Sequence, residues 1–107
     1  MKIVVFASGT GTNARNIFEL AQKHPALIQI CALICNKKEA GVLAIAEHFG
    51  VPTHVIPLER QENQMATRRH HEQKICAVLD KIDFDYICLA GYMRILTKDF
   101  VQKCECI

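Results

Sequence analysis

The chain holds 107 residues, half of them apolar and 22% charged, which fits one domain with one core and excludes the disordered and fibrous classes. Its formal charge of +2, from 13 basic and 11 acidic residues scattered along the sequence, lacks the concentrated basic face of a nucleic-acid reader. The N-terminal apolar run, Ile3 to Ala7, is too short for a signal-peptide core or a membrane span, so a cytoplasmic protein with no nucleic-acid or membrane partner is expected.

Lys2 to Ala7 is β-branched and apolar and stops at Ser8-Gly9-Thr10-Gly11, the pattern of a buried strand running into a turn. Ala14, Ile17, Phe18 and Ala21 then recur at helical spacing, which predicts a helix to about Lys23 with Thr12 or Asn13 as its N-cap. Ile28 to Cys35 is a second apolar run, long enough for a strand covered on both faces. Val42, Ile45, Ala46 and Phe49 form the stripe of an amphipathic helix, and Gly50 suits a left-handed stop.

A short strand is expected over Thr53 to Ile56. The polar stretch Pro57 to Gln64 leads to a longer helix with Ile75, Val78, Leu79 and Ile82 on its apolar face, where Arg68-Arg69-His70-His71 reads mostly as a solvated surface. Tyr86 to Ala90 is the fourth strand, followed by the loop Gly91 to Leu96 and a last helix from Thr97. Right-handed crossovers then give a doubly wound, Rossmann-like α/β fold with a parallel sheet in the order 3-2-1-4. A fourth strand left as an apolar edge near Ile107 makes the sequence read as cut short.

The six cysteines include no CxxC pair, and Cys31, Cys76 and Cys88 fall in periodic apolar segments as small core hydrophobes. Cys31 and Cys35 are expected to share one face of a strand, and Cys104 and Cys106 sit near the C-terminus. No metal site is expected from these spacings.

In a 3-2-1-4 sheet the order reverses between strands one and four, so the loops Ser8 to Asn13 and Gly91 to Leu96 should face each other across a crevice. Gly9 and Gly11 can adopt positive φ and let backbone amides approach an anion, and the helix start behind them adds a favourable dipole. Phosphate binding is assigned to Gly11, Thr12 and Asn13; the alternative is a glycine turn with no ligand. Gly9, Gly11 and Ala14 also satisfy GxGxx(G/A), but Asn36, Lys37 and Lys38 stand where an NAD site wants an acid, leaving an NADP oxidoreductase as the dinucleotide alternative. P-loop, GxSxG and HExxH motifs are absent. Met93, Ile95 and Leu96 read equally as core or as an apolar slot for a flat ring.

FASGTGTNARNI and CLAGYMRIL, with CNKKEAGVLAIAEHFGVPTHVIP between them, resemble the phosphoribosylglycinamide formyltransferases (GAR transformylases) of purine biosynthesis. The resemblance spans essentially the whole chain but only about the first half of what that family contains, so residues 1–107 are expected to be the N-terminal nucleotide- and phosphate-binding half of a truncated formyltransferase fold. It implies formyl transfer from 10-formyltetrahydrofolate, as co-substrate, to glycinamide ribonucleotide, with Gly11, Thr12 and Asn13 on the substrate phosphate. It further implies folate contacts from Arg68, Met93, Arg94, Ile95 and Leu96. The family's catalytic Asn, His and Asp match no residue of this sequence, so the fragment alone is expected to bind without catalysing, and His24, His48, His54, His70 and His71 are expected at surface or strand positions. A catalytically inactive nucleotide-binding module is the remaining alternative.

Overall fold

The structure, a computed structural model, describes residues 1–92. The chain alternates strand and helix: β1 (Lys2–Ala7), α1 (Thr12–Lys23), β2 (Gln29–Cys35), α2 (Gly41–His48), β3 (Thr53–Val55), α3 (Gln64–Leu79) and β4 (Tyr86–Leu89). The four strands form one parallel sheet in the order β3-β2-β1-β4, the doubly wound arrangement expected from the sequence. Met93, Arg94, Ile95, Leu96, the helix expected from Thr97, and Cys104 and Cys106 lie outside the described residues.

Alternation along β1 divides the core into two layers. Ile3, Val5 and Ala7 point to the face covered by Ala14 and Phe18 of α1 and by Val42 and Ala46 of α2. Val4 and Phe6 point to the other face, against Ile75 and Leu79 of α3. Phe6, Phe18, Leu33 and Ile34 are fully buried, and each such side chain contributes about 1.5–3 kcal/mol relative to exposure.

β2 departs from strict alternation. Its register against β1 runs Ile3↔Ile30 and then Val4↔Ala32, so Cys31 is an extra residue in a bulge. Ile30, Leu33 and Cys35 pack on the α1/α2 face, whereas Cys31, Ala32 and Ile34 pack on the α3 face. Cys31 and Cys35 therefore lie on opposite faces of the sheet. The expectation of a shared face is corrected, because one inserted residue inverts the period-two pattern beyond it.

The ends of α2 and α3 show how local chemistry sets their lengths. Gly50 takes φ 69°; its amide donates to Glu47 O at 3.1 Å and that of Val51 to Ala46 O at 2.8 Å, the bond pattern of a Schellman stop. At the start of α3 the Asn63 side chain accepts from Ala66 N at 2.8 Å, and Thr67 Oγ1 donates to Asn63 O at 2.8 Å while accepting from Gln61 N at 2.9 Å. Lys74 pairs with Glu59, tying the loop before α3 to the helix and holding the Glu59 carboxyl below its ordinary range. Among the described residues no helix is long and apolar enough to cross a membrane.

Candidate functional site

The loop after β1 turns into α1 through Gly11, which takes φ 89° and ψ 15° and is itself the N-cap. Thr12 and Asn13 are thus the first two helical residues, and the expectation that one of them caps the helix is corrected. The cause is packing: a Cβ on Gly11 would lie 2.8 Å from Val42 Cα and 2.9 Å from Ile45 Cδ1. Only glycine allows α2 to come this close at a left-handed backbone position. Gly9, though free to take positive φ, does not adopt it, and a Cβ there would meet nothing within 4 Å.

The first intrahelical bond of α1 runs from Arg15 N to Gly11 O at 2.7 Å. The amides of Thr12, Asn13 and Ala14 precede it and have no acceptor within the helix. No side chain caps them, and the first turn of α1 carries no acidic residue. The start of α2 supports the loop from the side: Val42 N donates to Gly9 O at 3.2 Å. Its first turn is likewise free of acidic residues. Two positive helix ends therefore converge on residues 9–13, an arrangement suited to an anion.

Across the switch point, Ala90 N donates to Phe6 O at 2.8 Å, carrying the β1–β4 ladder up to Gly91. Gly91 takes φ 77°, and a Cβ there would lie 3.9 Å from Asn13 Nδ2. The loops after β1 and β4 thus meet, as the topology requires.

Arg68 belongs to a different part of this end of the sheet. It lines a cavity of about 360 Å³ with Leu58, Arg60, Gln61, Asn63, Gln64 and Thr67, a lining that includes none of Gly11, Thr12 and Asn13. The structure brings Gly11, Thr12, Asn13 and Gly91 together and places Arg68 in a cavity lining that Arg60 shares.

The inner face of α3 differs from its sequence reading. Thr67, His71 and Glu72 are buried with Ile75 and Leu79, so His71 is no surface residue and the basic run is not a uniformly solvated face. The row 67, 71, 75, 79 follows the four-residue ridge of a helix. That spacing is the signal that finds Thr67 and His71 once polar residues are allowed on a buried ridge.

A family model described as formyl transferase matches residues 1–106. The chain belongs to the formyl transferase family. The trifunctional purine biosynthetic protein adenosine-3 of Gallus gallus is 35% identical over 105 residues, covering 98% of this chain and 10% of that protein. The phosphoribosylglycinamide formyltransferase of Coxiella burnetii is 39% identical, with a TM-score of 0.84 over 96% of this chain and 46% of that one. That of Brucella melitensis is 38% identical, with a TM-score of 0.83 over 95% of this chain and 51% of that one.

The resemblance carried by FASGTGTNARNI and CLAGYMRIL is borne out, and the fold is the Rossmann-like fold of these formyl transferases. This chain spans about a tenth of the trifunctional relative and about half of the two solved enzymes. Membership of the formyl transferase family does not favour the NADP reading of the glycine loop.

Proposed function

We propose that residues 1–107 are the nucleotide- and phosphate-binding half of a phosphoribosylglycinamide formyltransferase, a cytoplasmic enzyme of purine biosynthesis. In this reading Gly11, Thr12 and Asn13 hold the phosphate of glycinamide ribonucleotide. Arg68, Met93, Arg94, Ile95 and Leu96 contact 10-formyltetrahydrofolate. The observation that carries the reading is the start of α1: amides without a side-chain cap, no acid in the first turn, and Asn13 beside Gly91 at the switch point. Family membership supplies the chemistry that a phosphate cradle alone leaves open.

The reaction moves one formyl group. The amine nitrogen of glycinamide ribonucleotide attacks the formyl carbon, the bond from that carbon to N10 of the folate breaks, and the amine's proton is matched by one taken up at N10 as tetrahydrofolate leaves. The share of this work assigned to the present residues is binding and orientation, which fix the amine near the carbonyl carbon. Stabilising the tetrahedral oxyanion and moving the protons need further groups, and the resemblance assigns none of those to residues of this sequence.

Calorimetric titration of glycinamide ribonucleotide into the chain tests the reading. Binding that weakens about ten-fold in Asn13→Ala is the expected result, and a well-folded chain that binds no glycinamide ribonucleotide overturns it.

A further inference from the structure

His71 sits on the buried ridge of α3, 2% exposed, at a position where the next two ridge residues are Ile75 and Leu79. Its Nε2 lies 2.5 Å from Tyr92 Oη, and the two rings stack with centroids 6.3 Å apart and planes 10° from parallel. Whichever tautomer His71 takes, the pair is satisfied, since the phenol can donate to Nε2 or accept from Nε2–H. The Tyr92 ring also meets Phe6 of β1 edge to face, with centroids 5.2 Å apart. Tyr92 is thus held by the sheet on one side and by α3 on the other. It is the residue between Gly91, which adjoins Asn13, and the segment Met93 to Leu96.

A purely apolar contact would let the tip of the Tyr92 ring slide, whereas a hydrogen bond at the end of the ring is directional and pins it. We infer that His71 is a positioning residue for folate binding: by fixing the Tyr92 hydroxyl it sets the place of Tyr92, the residue that precedes the proposed folate-contacting segment, relative to the phosphate cradle. This rests on the formyl-transfer reading above, which gives that segment to the folate. His71 touches neither ligand in this scheme and acts through Tyr92.

The test compares wild type, His71→Leu, His71→Gln and Tyr92→Phe by calorimetry with two probes, 5-formyltetrahydrofolate, which does not donate its formyl group, and glycinamide ribonucleotide. Losing the hydrogen bond should weaken folate binding about five-fold in His71→Leu and Tyr92→Phe. Glycinamide ribonucleotide affinity should stay at the wild-type value in both. His71→Gln, which keeps a donor and an acceptor near Tyr92, should recover part of the loss. Urea unfolding of each variant identifies the folded ones, and Tyr92→Phe, which removes a single oxygen, keeps the test available if His71→Leu unfolds. Folded variants that bind folate as tightly as wild type overturn the inference, as does an equal loss for both probes. A wild-type chain that binds glycinamide ribonucleotide but no folate strikes instead at the folate part of the proposed function, and the inference falls with it.

Discussion

Helices α1 and α3 both begin beyond the carboxyl ends of parallel strands, and both must dispose of the unpaired amides of a first helical turn. α3 does so within the chain: Asn63 accepts from Ala66 N, and Thr67 stitches the preceding loop to the helix. α1 does not, because its cap is Gly11 and its first two side chains, Thr12 and Asn13, project into solvent. The same backbone requirement thus yields a closed end in one helix and a donor-rich end in the other. What separates them is whether the capping residue carries an acceptor of its own. A self-capped helix is more stable by about 1 kcal/mol, while an uncapped one keeps its amides for an incoming anion.

The comparison can be broken most forcefully at Gly11. Gly11→Ala places a Cβ 2.8 Å from Val42 Cα at φ 89°; left-handed strain and overpacking together should cost about 2–4 kcal/mol, read from urea unfolding. Gly9→Ala, whose Cβ meets nothing within 4 Å, should stay within about 0.5 kcal/mol of wild type in the same experiment.

Asn13→Ala should leave the unfolding midpoint unchanged but weaken glycinamide ribonucleotide binding about ten-fold, the loss of one hydrogen bond to a charged group. Asn63→Ala should show the reverse, a loss of about 1 kcal/mol of stability with that affinity intact. A large affinity loss in Asn63→Ala would erase the distinction between the two helix ends.

The smallest effect is expected at the far end of the sheet, where Lys2 Nζ lies 2.8 Å from Asp83 Oδ2. The Lys2 ammonium holds the Asp83 carboxyl below its ordinary range, and Asp83 in turn raises Lys2. A lowered carboxylate contributes stability above its unfolded pKa and loses it as pH falls through the folded value; a raised lysine contributes below its unfolded pKa and loses it only in strong base. Asp83→Asn should therefore lower Tm slightly at neutral pH, converge with wild type in acid below the carboxylate range, and leave ligand binding untouched.

The strands and helices were legible in the sequence because their apolar periods are strong. β1 has the span expected for it, and the other elements among the described residues end within a few residues of theirs. Gly50 was readable as a left-handed stop because a glycine after an amphipathic run has few other uses. The role of Gly11 was only half legible: the pattern SGTGTN calls for a tight turn, but nothing local reveals that Val42, some 30 residues on, will press against it. The bulge at Cys31 was invisible for a related reason, since a run apolar at nearly every position carries no alternation to interrupt. His71 was misread because charged and imidazole side chains around it suggested a wet face, whereas the ridge of α3 is decided by contact with β1 and Tyr92.

The bulge in β2 also has a consequence for thiol chemistry. Cys31 donates to Asp83 O at 3.6 Å and is pushed up by burial, while Cys35 on the other side donates to Lys37 O at 3.3 Å. Residues four apart along a strand are already separated by about 13 Å, beyond the roughly 7 Å that a disulfide can span, and here the sheet also stands between them. An oxidant that converts one to a sulfenic acid finds no resolving thiol along the same strand, so each sulfur of β2 must be oxidised and repaired as a separate account.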